Sequence, residues 1–310
     1  GSASPAAPPS PTGVTPNAGS GASQTFTFTF SDPVGWQNLA VANVLFNNVA
    51  DGRRACLVAF VPSGASSGSI FLADDTGVTG GPDSAMPLPG SGSVSNRQCS
   101  VNAAGSSANW DGNALTLKLA ITFSASFSGN KVAFLAAQAK SSNSTEWQAL
   151  GTWGAPGNVT AGPAVGGVSP ARSNTRSQTY TFTFTDTNGV QDIAGANVLI
   201  NSALDGRNAC DLAFVPSGPA AGQLLLVNDA GDTAGPYQGM AIPGSGGISN
   251  GQCSIAATGS SVSASGNTLT LTLAITFTPG FAGNQIFFLA TRSNALNSDW
   301  QTMGTVTAPR

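Results

Sequence analysis

The chain has 310 residues, of which 8% are charged, with eleven Lys and Arg against fourteen Asp and Glu, a net charge of −3 and no histidine. The cations form no run or stripe, which argues against a nucleic-acid partner, because phosphate-backbone binding needs clustered Lys and Arg. No stretch approaches the eighteen consecutive apolar residues of a membrane-spanning helix, so membrane insertion is not expected.

Residues 1–12 are Pro, Ala and Ser without periodicity and read as a semi-rigid, Pro-rich linker joining this segment to something upstream. No signal peptide is present, so the chain reads as a mature or excised segment. The first repeat opens at Gly13-Val14-Thr15-Pro16, whose counterpart is Gly167-Val168-Ser169-Pro170. Residues 25–30, TFTFTF, place Phe26, Phe28 and Phe30 on one face of a strand and threonines on the other; residues 179–184, TYTFTF, repeat the pattern. Further strands are expected at 41–47, 55–61 and 69–73. Asp51-Gly52 and Asp205-Gly206 supply tight-turn chemistry. Residues 74–98 and 228–252 read as long Gly, Pro and Ser-rich loops, ordered by Met86 and Leu88 in one and by Met240 and Ile242 in the other.

The clearest element is residues 112–123, GNALTLKLAITF, which matches residues 266–277, GNTLTLTLAITF, at ten positions with an offset of 154. Each is one long strand with Leu, Ile and Phe on the core face and mostly Thr and Ala on the other, the mark of a half-buried antiparallel sheet. Strands at 131–139 and 147–153 follow. Residues 157–166 read as a short Gly/Pro-rich linker, and residues 167–310 as the second copy of 13–156. No sustained helical period occurs, so the expected fold is all-β, two tandem antiparallel β-sandwich domains.

Cys56 and Cys99 are 43 residues apart, as are Cys210 and Cys253, and each has its counterpart at the repeat offset. Of the three connectivities, only Cys56–Cys99 with Cys210–Cys253 lets both copies fold alike. Closing such a loop contributes roughly 4 kcal/mol in the chain-entropy model. Disulfides imply an oxidising compartment, so a secreted or cell-surface location is expected.

The lack of histidine removes Ser-His-Asp and Cys-His arrangements and the commonest general base. Glu146 is the only glutamate, and Asp32, Asp51 and Asp75 recur as Asp186, Asp205 and Asp229 in positions that turns already explain. Residues 70–77, IFLADDTG, and 224–231, LLLVNDAG, resemble the active-site strands of pepsin-like aspartic proteases, which would make Asp75 and Asp229 a catalytic pair. Asp75-Thr76-Gly77 lacks the Ser or Thr that follows in that family, and the second copy has alanine in the middle position, so an ordinary turn is the reading adopted. No catalytic residue and no cofactor is expected. Asp186, Asn188 and Asp192 surround a glycine turn as hard-cation loops do, making calcium the one candidate metal; the first copy has Asp32, Val34 and Asn38 there. Trp147 and Trp300 are aligned copies and read as core anchors or edge plugs. Trp36, Trp110 and Trp153 correspond to Val190, Ala264 and Val306, so the fold does not require an indole there, and they are candidates for stacking on a carbohydrate.

Residues 24–32 (QTFTFTFSD), 43–45 with Asp51-Gly52-Arg53, the 127–129 corner before the strand at 131–139, and Trp147-Gln148 together resemble the bacterial immunoglobulin-like β-sandwich repeat modules of secreted and cell-surface proteins. The cysteines depart from the spacing of an animal immunoglobulin domain. The resemblance implies a non-enzymatic extracellular module of a larger protein, acting as spacer, adhesin stalk or interaction segment, with a polysaccharide or surface protein as partner. The alternatives are a carbohydrate-binding accessory module of an upstream enzyme and a self-assembling fibre subunit joined through sheet edges.

Overall fold

Alternation of large apolar and hydroxyl side chains fixes which face of each strand turns inward. Phe26, Phe28 and Phe30 are buried, as are Leu115, Leu117, Leu119, Ile121 and Phe123 opposite them, while the intervening threonines meet water or half-cover one another. The computed structural model describes residues 7–78, 83–157 and 161–310. The chain divides into two compact units, Gly1–Asn158 and Val159–Arg310.

The described strands of the first unit are β1 (Ser10–Thr15), β2 (Ser23–Ser31), β3 (Leu39–Asn47), β4 (Cys56–Gly64), β5 (Ser67–Leu72), β6 (Ser84–Leu88), β7 (Ser93–Ser95), β8 (Cys99–Asp111), β9 (Ala114–Phe123), β10 (Gly129–Ala139) and β11 (Gln148–Ala155). They form two antiparallel sheets, β1-β2-β9-β8-β7 and β11-β10-β3-β4-β5-β6. The inner faces of both sheets share one core, in which Phe26 meets Phe46 at 5.0 Å between ring centroids and Trp153 edge-on at 5.0 Å. This is a β-sandwich, and Cys56 on β4 is bonded to Cys99 on β8 across it, Cα to Cα 5.6 Å.

The second unit repeats the plan with β12 (Pro163–Ser169), β13 (Arg172–Ser173), β14 (Ser177–Asp186), β15 (Gly195–Asn201), β16 (Cys210–Gly218), β17 (Ala221–Leu226), β18 (Gln238–Ile242), β19 (Gly247–Ser249), β20 (Cys253–Ser265), β21 (Thr268–Phe277), β22 (Gly283–Arg292) and β23 (Gln301–Ala308). Its sheets are β12-β14-β21-β20-β19 and β13-β23-β22-β15-β16-β17-β18, with β13 the short parallel addition at one edge. Cys210 and Cys253 join them. Both disulfides therefore lie within a repeat, and they fit an oxidising, extracellular environment. Among the described residues, no helix is long and apolar enough to cross a membrane.

Several segments differ in extent from the sequence reading. Ser10–Thr15 pairs with β2 from within the Pro-rich stretch, and Pro163–Ser169 does the same from within the inter-repeat stretch, so strand structure begins at Ser10 and at Pro163. Residues 79–82 and 158–160 of the predicted loop and linker lie outside the described residues. The rest of the 74–98 segment contains two short strands, β6 and β7, with Met86 and Leu88 buried as the sequence suggested; Met240 and Ile242 are buried likewise.

β8 escaped the sequence reading altogether. Its buried residues are Cys99, Val101 and Ala103, then Ala108 and Trp110, so the inward positions change parity midway. The cause is a bulge: Asn102 pairs with Ala120 but Ser107 pairs with Lys118, and Gly105 turns at φ 87° to make room for the extra residues. Ser106 mends the ladder there, its Oγ accepting the Ala120 N–H at 2.9 Å and donating to the Asn102 carbonyl at 2.6 Å. β20 carries the same bulge through Gly259 and Ser260.

Val14, buried against β2 opposite Phe28, makes β1 part of the folded unit. Residues 7–157 expressed alone are expected to unfold in one cooperative denaturant transition. Residues 17–157 should be less stable by at least about 2 kcal/mol, the order of one buried valine with its ladder bonds. Equal midpoints for the two would show that β1 adds nothing to the sandwich.

Candidate functional site

Three places in the molecule gather polar or concave features. The first is the strand-to-turn segment after β5 and after β17, which carries the Asp-x-Gly sequences. Asp74 Oδ1 accepts the Thr76 N–H at 2.9 Å and Asn228 Oδ1 accepts the Ala230 N–H at 3.1 Å, the geometry of an Asx turn. Gly77 follows at φ 72° against the backbone of Gly52; a Cβ on it would lie 2.2 Å from the Gly52 carbonyl carbon. Close backbone approach therefore accounts for the glycine. Asp75 is ion-paired with Arg97 at 3.4 Å and Asp229 accepts the Gly251 N–H at 2.9 Å, each inside its own repeat. A hollow of 400 Å³ adjoins Asp75 and one of 330 Å³ adjoins Asp229, the latter lined also by Tyr237 and Gln238.

The second place is a groove of 430 Å³ in the second repeat, between the loop after β14, the β16–β17 hairpin and the β20–β21 hairpin. Val190, Ile193, Pro216, Pro219, Ala264 and Leu269 form its apolar lining. Val190 and Ala264 stand where the first repeat has Trp36 and Trp110. Trp110 is 8% exposed and Trp36 packs half-buried on the core, so the first repeat fills these positions with indoles. Trp153 is 5% exposed, and its Nε1 donates to the Gly21 carbonyl at 2.9 Å. These three tryptophans consequently do not form the stacking surface expected of them. Trp110 and Trp153 belong to the core of the first repeat and Trp36 packs against it. The exposed indole is Trp300, with 37% of its surface accessible, while its counterpart Trp147 is half-buried. Lys131, covered by β-sheet neighbours, sits 4.5 Å over the Phe127 ring and donates to Asn48 Oδ1 at 3.2 Å; burial lowers its pKa.

The third place is the loop from Asp186 to Asp192. Asp186 is fully buried, its Oδ1 accepting the Asn188 N–H at 2.8 Å, and Asn188 Nδ2 donates to Asp192 Oδ2 at 3.2 Å. The three sequence-predicted residues are thus together. Among the described residues no three His, Cys, Asp or Glu side chains converge to hold a metal, so the donor set of this loop is two carboxylates and an amide.

Three residues that the sequence pattern does not single out have defined roles. Asn96 donates from Nδ2 to the carbonyls of Ala55 and Ala73, both at 2.9 Å, and accepts the N–H groups of Gln98 and Cys99, both at 2.9 Å, so one side chain ties the two sheets beside the disulfide. Asn250 does the same. The Asn-x-x-Cys spacing, present in both repeats, was the available signal. Asp211 stands where the first repeat has Leu57, buried beside the Gly206 turn, and loss of hydration raises its carboxyl from the ordinary 3.8 to about 6.

Comparison with protein-family models and with curated proteins finds no match for this chain.

Because folded Asp211 holds its proton more tightly than the unfolded chain does, its contribution to stability is present below pH 3.8 and is lost as pH rises through 6. The loss at neutral pH is on the order of 2–3 kcal/mol. Asp211→Leu is expected to raise stability at pH 7 by roughly 1–3 kcal/mol and by much less at pH 4. Urea unfolding at both pH values checks this, and a gain as large at pH 4 as at pH 7 would mean that packing, not ionisation, sets the difference.

Proposed function

We propose that the chain is a non-enzymatic tandem module of a larger secreted or surface protein, serving as a spacer, stalk or interaction segment like the bacterial immunoglobulin-like repeats it resembles. The observation that carries this reading is that each repeat closes its own core with its own inter-sheet disulfide, the economy of a unit built for serial use outside the cell. The aspartates that a protease reading would need are engaged in local structure, Asp75 by Arg97 and Asp229 by a backbone N–H.

The sheet edges favour this reading over a self-assembling fibre. β6 carries Pro87 and β7 is three residues long, both ways of blunting an edge. On β11, the Thr152 and Gly154 N–H groups are already taken by the carbonyls of Asn17 and Gly19. A second reading, a carbohydrate-binding accessory module, draws support from the apolar groove of the second repeat rather than from the tryptophans of the first.

Ala264→Trp puts into the second repeat the side chain that the first accommodates, and should fold while filling the groove. The wild-type chain is expected to show no hydrolysis of model glycosides or peptides and no retention on insoluble glycans. Retention of wild type that disappears in Ala264→Trp would place the accessory-module reading first. Hydrolysis abolished by Asp75→Asn would overturn both.

A further inference from the structure

The two repeats satisfy the same buried carboxylate in different ways. Asp32 and Asp186 each lie fully buried where the aromatic ladder strand ends, and each accepts the N–H of the residue two positions on, Val34 at 2.9 Å and Asn188 at 2.8 Å. The loops then follow the same backbone path. The Gly35 N–H bonds to the Asp32 carbonyl at 3.1 Å and the Asn38 N–H to the Gly35 carbonyl at 3.1 Å; in the second repeat the matching bonds of Gly189 and Asp192 are both 3.0 Å.

What differs is the side chain that closes the loop. In the first repeat Asn38 Nδ2 lies 3.1 Å and 3.0 Å from the two oxygens of Asp32 and satisfies the carboxylate. In the second repeat that place belongs to Asp192, which as a carboxylate has no proton to give. Asp186 Oδ2 accordingly has no hydrogen-bond partner, although it is out of reach of bulk water. An ionised oxygen buried in this way is costly unless a positive group meets it. Asn188, which replaces Val34, adds a third oxygen-bearing side chain already 3.2 Å from Asp192, and turning its amide over presents Oδ1 in place of Nδ2.

We propose that the second repeat binds one calcium ion between the carboxylates of Asp186 and Asp192, with the Asn188 amide oxygen and water completing the shell, and that the Asn38 amide is the built-in substitute for this ion in the first repeat. Oxygen donors of mixed kind on an irregular loop suit calcium, which accepts variable coordination, better than magnesium, which demands a near-ideal octahedron. The site does not depend on whether the module is a spacer or a glycan binder.

Calorimetric titration of calcium chloride into the full oxidised chain, with thermal unfolding in calcium and in EDTA, tests the assignment. The expected result is one ion per chain with a dissociation constant on the order of 10⁻⁴–10⁻³ M, the range of extracellular modules, and a higher unfolding midpoint in calcium. Asp192→Asn recreates the arrangement of the first repeat. It should weaken calcium binding at least tenfold and raise the midpoint in EDTA, since Asp186 Oδ2 gains a donor. No heat and no midpoint shift for the wild-type chain at about ten times that dissociation constant overturns the site, whatever the variant does. Affinity unchanged in Asp192→Asn also overturns it, and an EDTA midpoint that stays or falls overturns the role assigned to Asn38.

Discussion

Each repeat depends on one cross-sheet fastening, the disulfide of Cys56 with Cys99 and of Cys210 with Cys253, and on the asparagine set three residues before the second cysteine. The disulfide ties β4 to β8, strands in opposite sheets, and Asn96 binds the carbonyls at the start of β4 and just after β5 while holding the turn that leads into β8. Long-range β pairing otherwise has to be reached through costly loop closures, here spanning the 43 residues between the cysteines. With the two sheets held at one point, the phenylalanine ladder of β2 and the leucine ladder of β9 can meet the inner face of the other sheet along their whole length. The glycines at 52 and 77, in the turns before β4 and after β5, pack backbone to backbone, where neither has room for a side chain.

On this common frame the repeats have diverged by exchanging side chains that fill space for side chains that carry charge or leave room. Trp36 and Trp110 become Val190 and Ala264, and a groove opens where the first repeat is plugged. Leu57 becomes Asp211, which places a carboxyl in an apolar setting and raises its pKa. Asn38 becomes Asp192, and a satisfied carboxylate becomes an unsatisfied one. The last two leave carboxylates in poorly hydrated positions, which is costly in the bare fold. That the second repeat tolerates them is intelligible if the last is offset by a bound cation, and if specific recognition resides there and not in the first repeat.

The sequence showed the strands whose two faces differ plainly. β2 alternates threonine with phenylalanine from Thr25 to Phe30, and β9 alternates Leu, Ile or Phe with Thr, Lys or Ala from Leu115 to Phe123; a period of two needs no tertiary information to be seen. It did not show β8, because a bulge shifts the inward positions from odd to even and the apolar side chains are mostly alanine and valine. β1 was hidden because its first three residues, Ser10 to Thr12, belong to the Pro-rich stretch and too few residues follow before Pro16 to show a period of two. The acidic loop of the second repeat was legible from spacing alone, since its residues are close in the chain. An indole present in one repeat and absent from the other is not thereby superficial: Trp36 and Trp110 occupy space that the second repeat leaves as a groove beside Val190 and Ala264, and Trp153 is buried in the core. Burial of a lone large side chain is set by neighbours distant in sequence, and no local pattern records it.

Each sandwich is fastened within itself, and the most direct test of this is disulfide mapping of the native, unreduced chain by proteolysis and mass spectrometry with free thiols alkylated beforehand. The expected result is two linked peptide pairs, Cys56 with Cys99 and Cys210 with Cys253, and no alkylated cysteine. A Cys56–Cys210 link, or four alkylated thiols in a chain that is nonetheless folded, would contradict it.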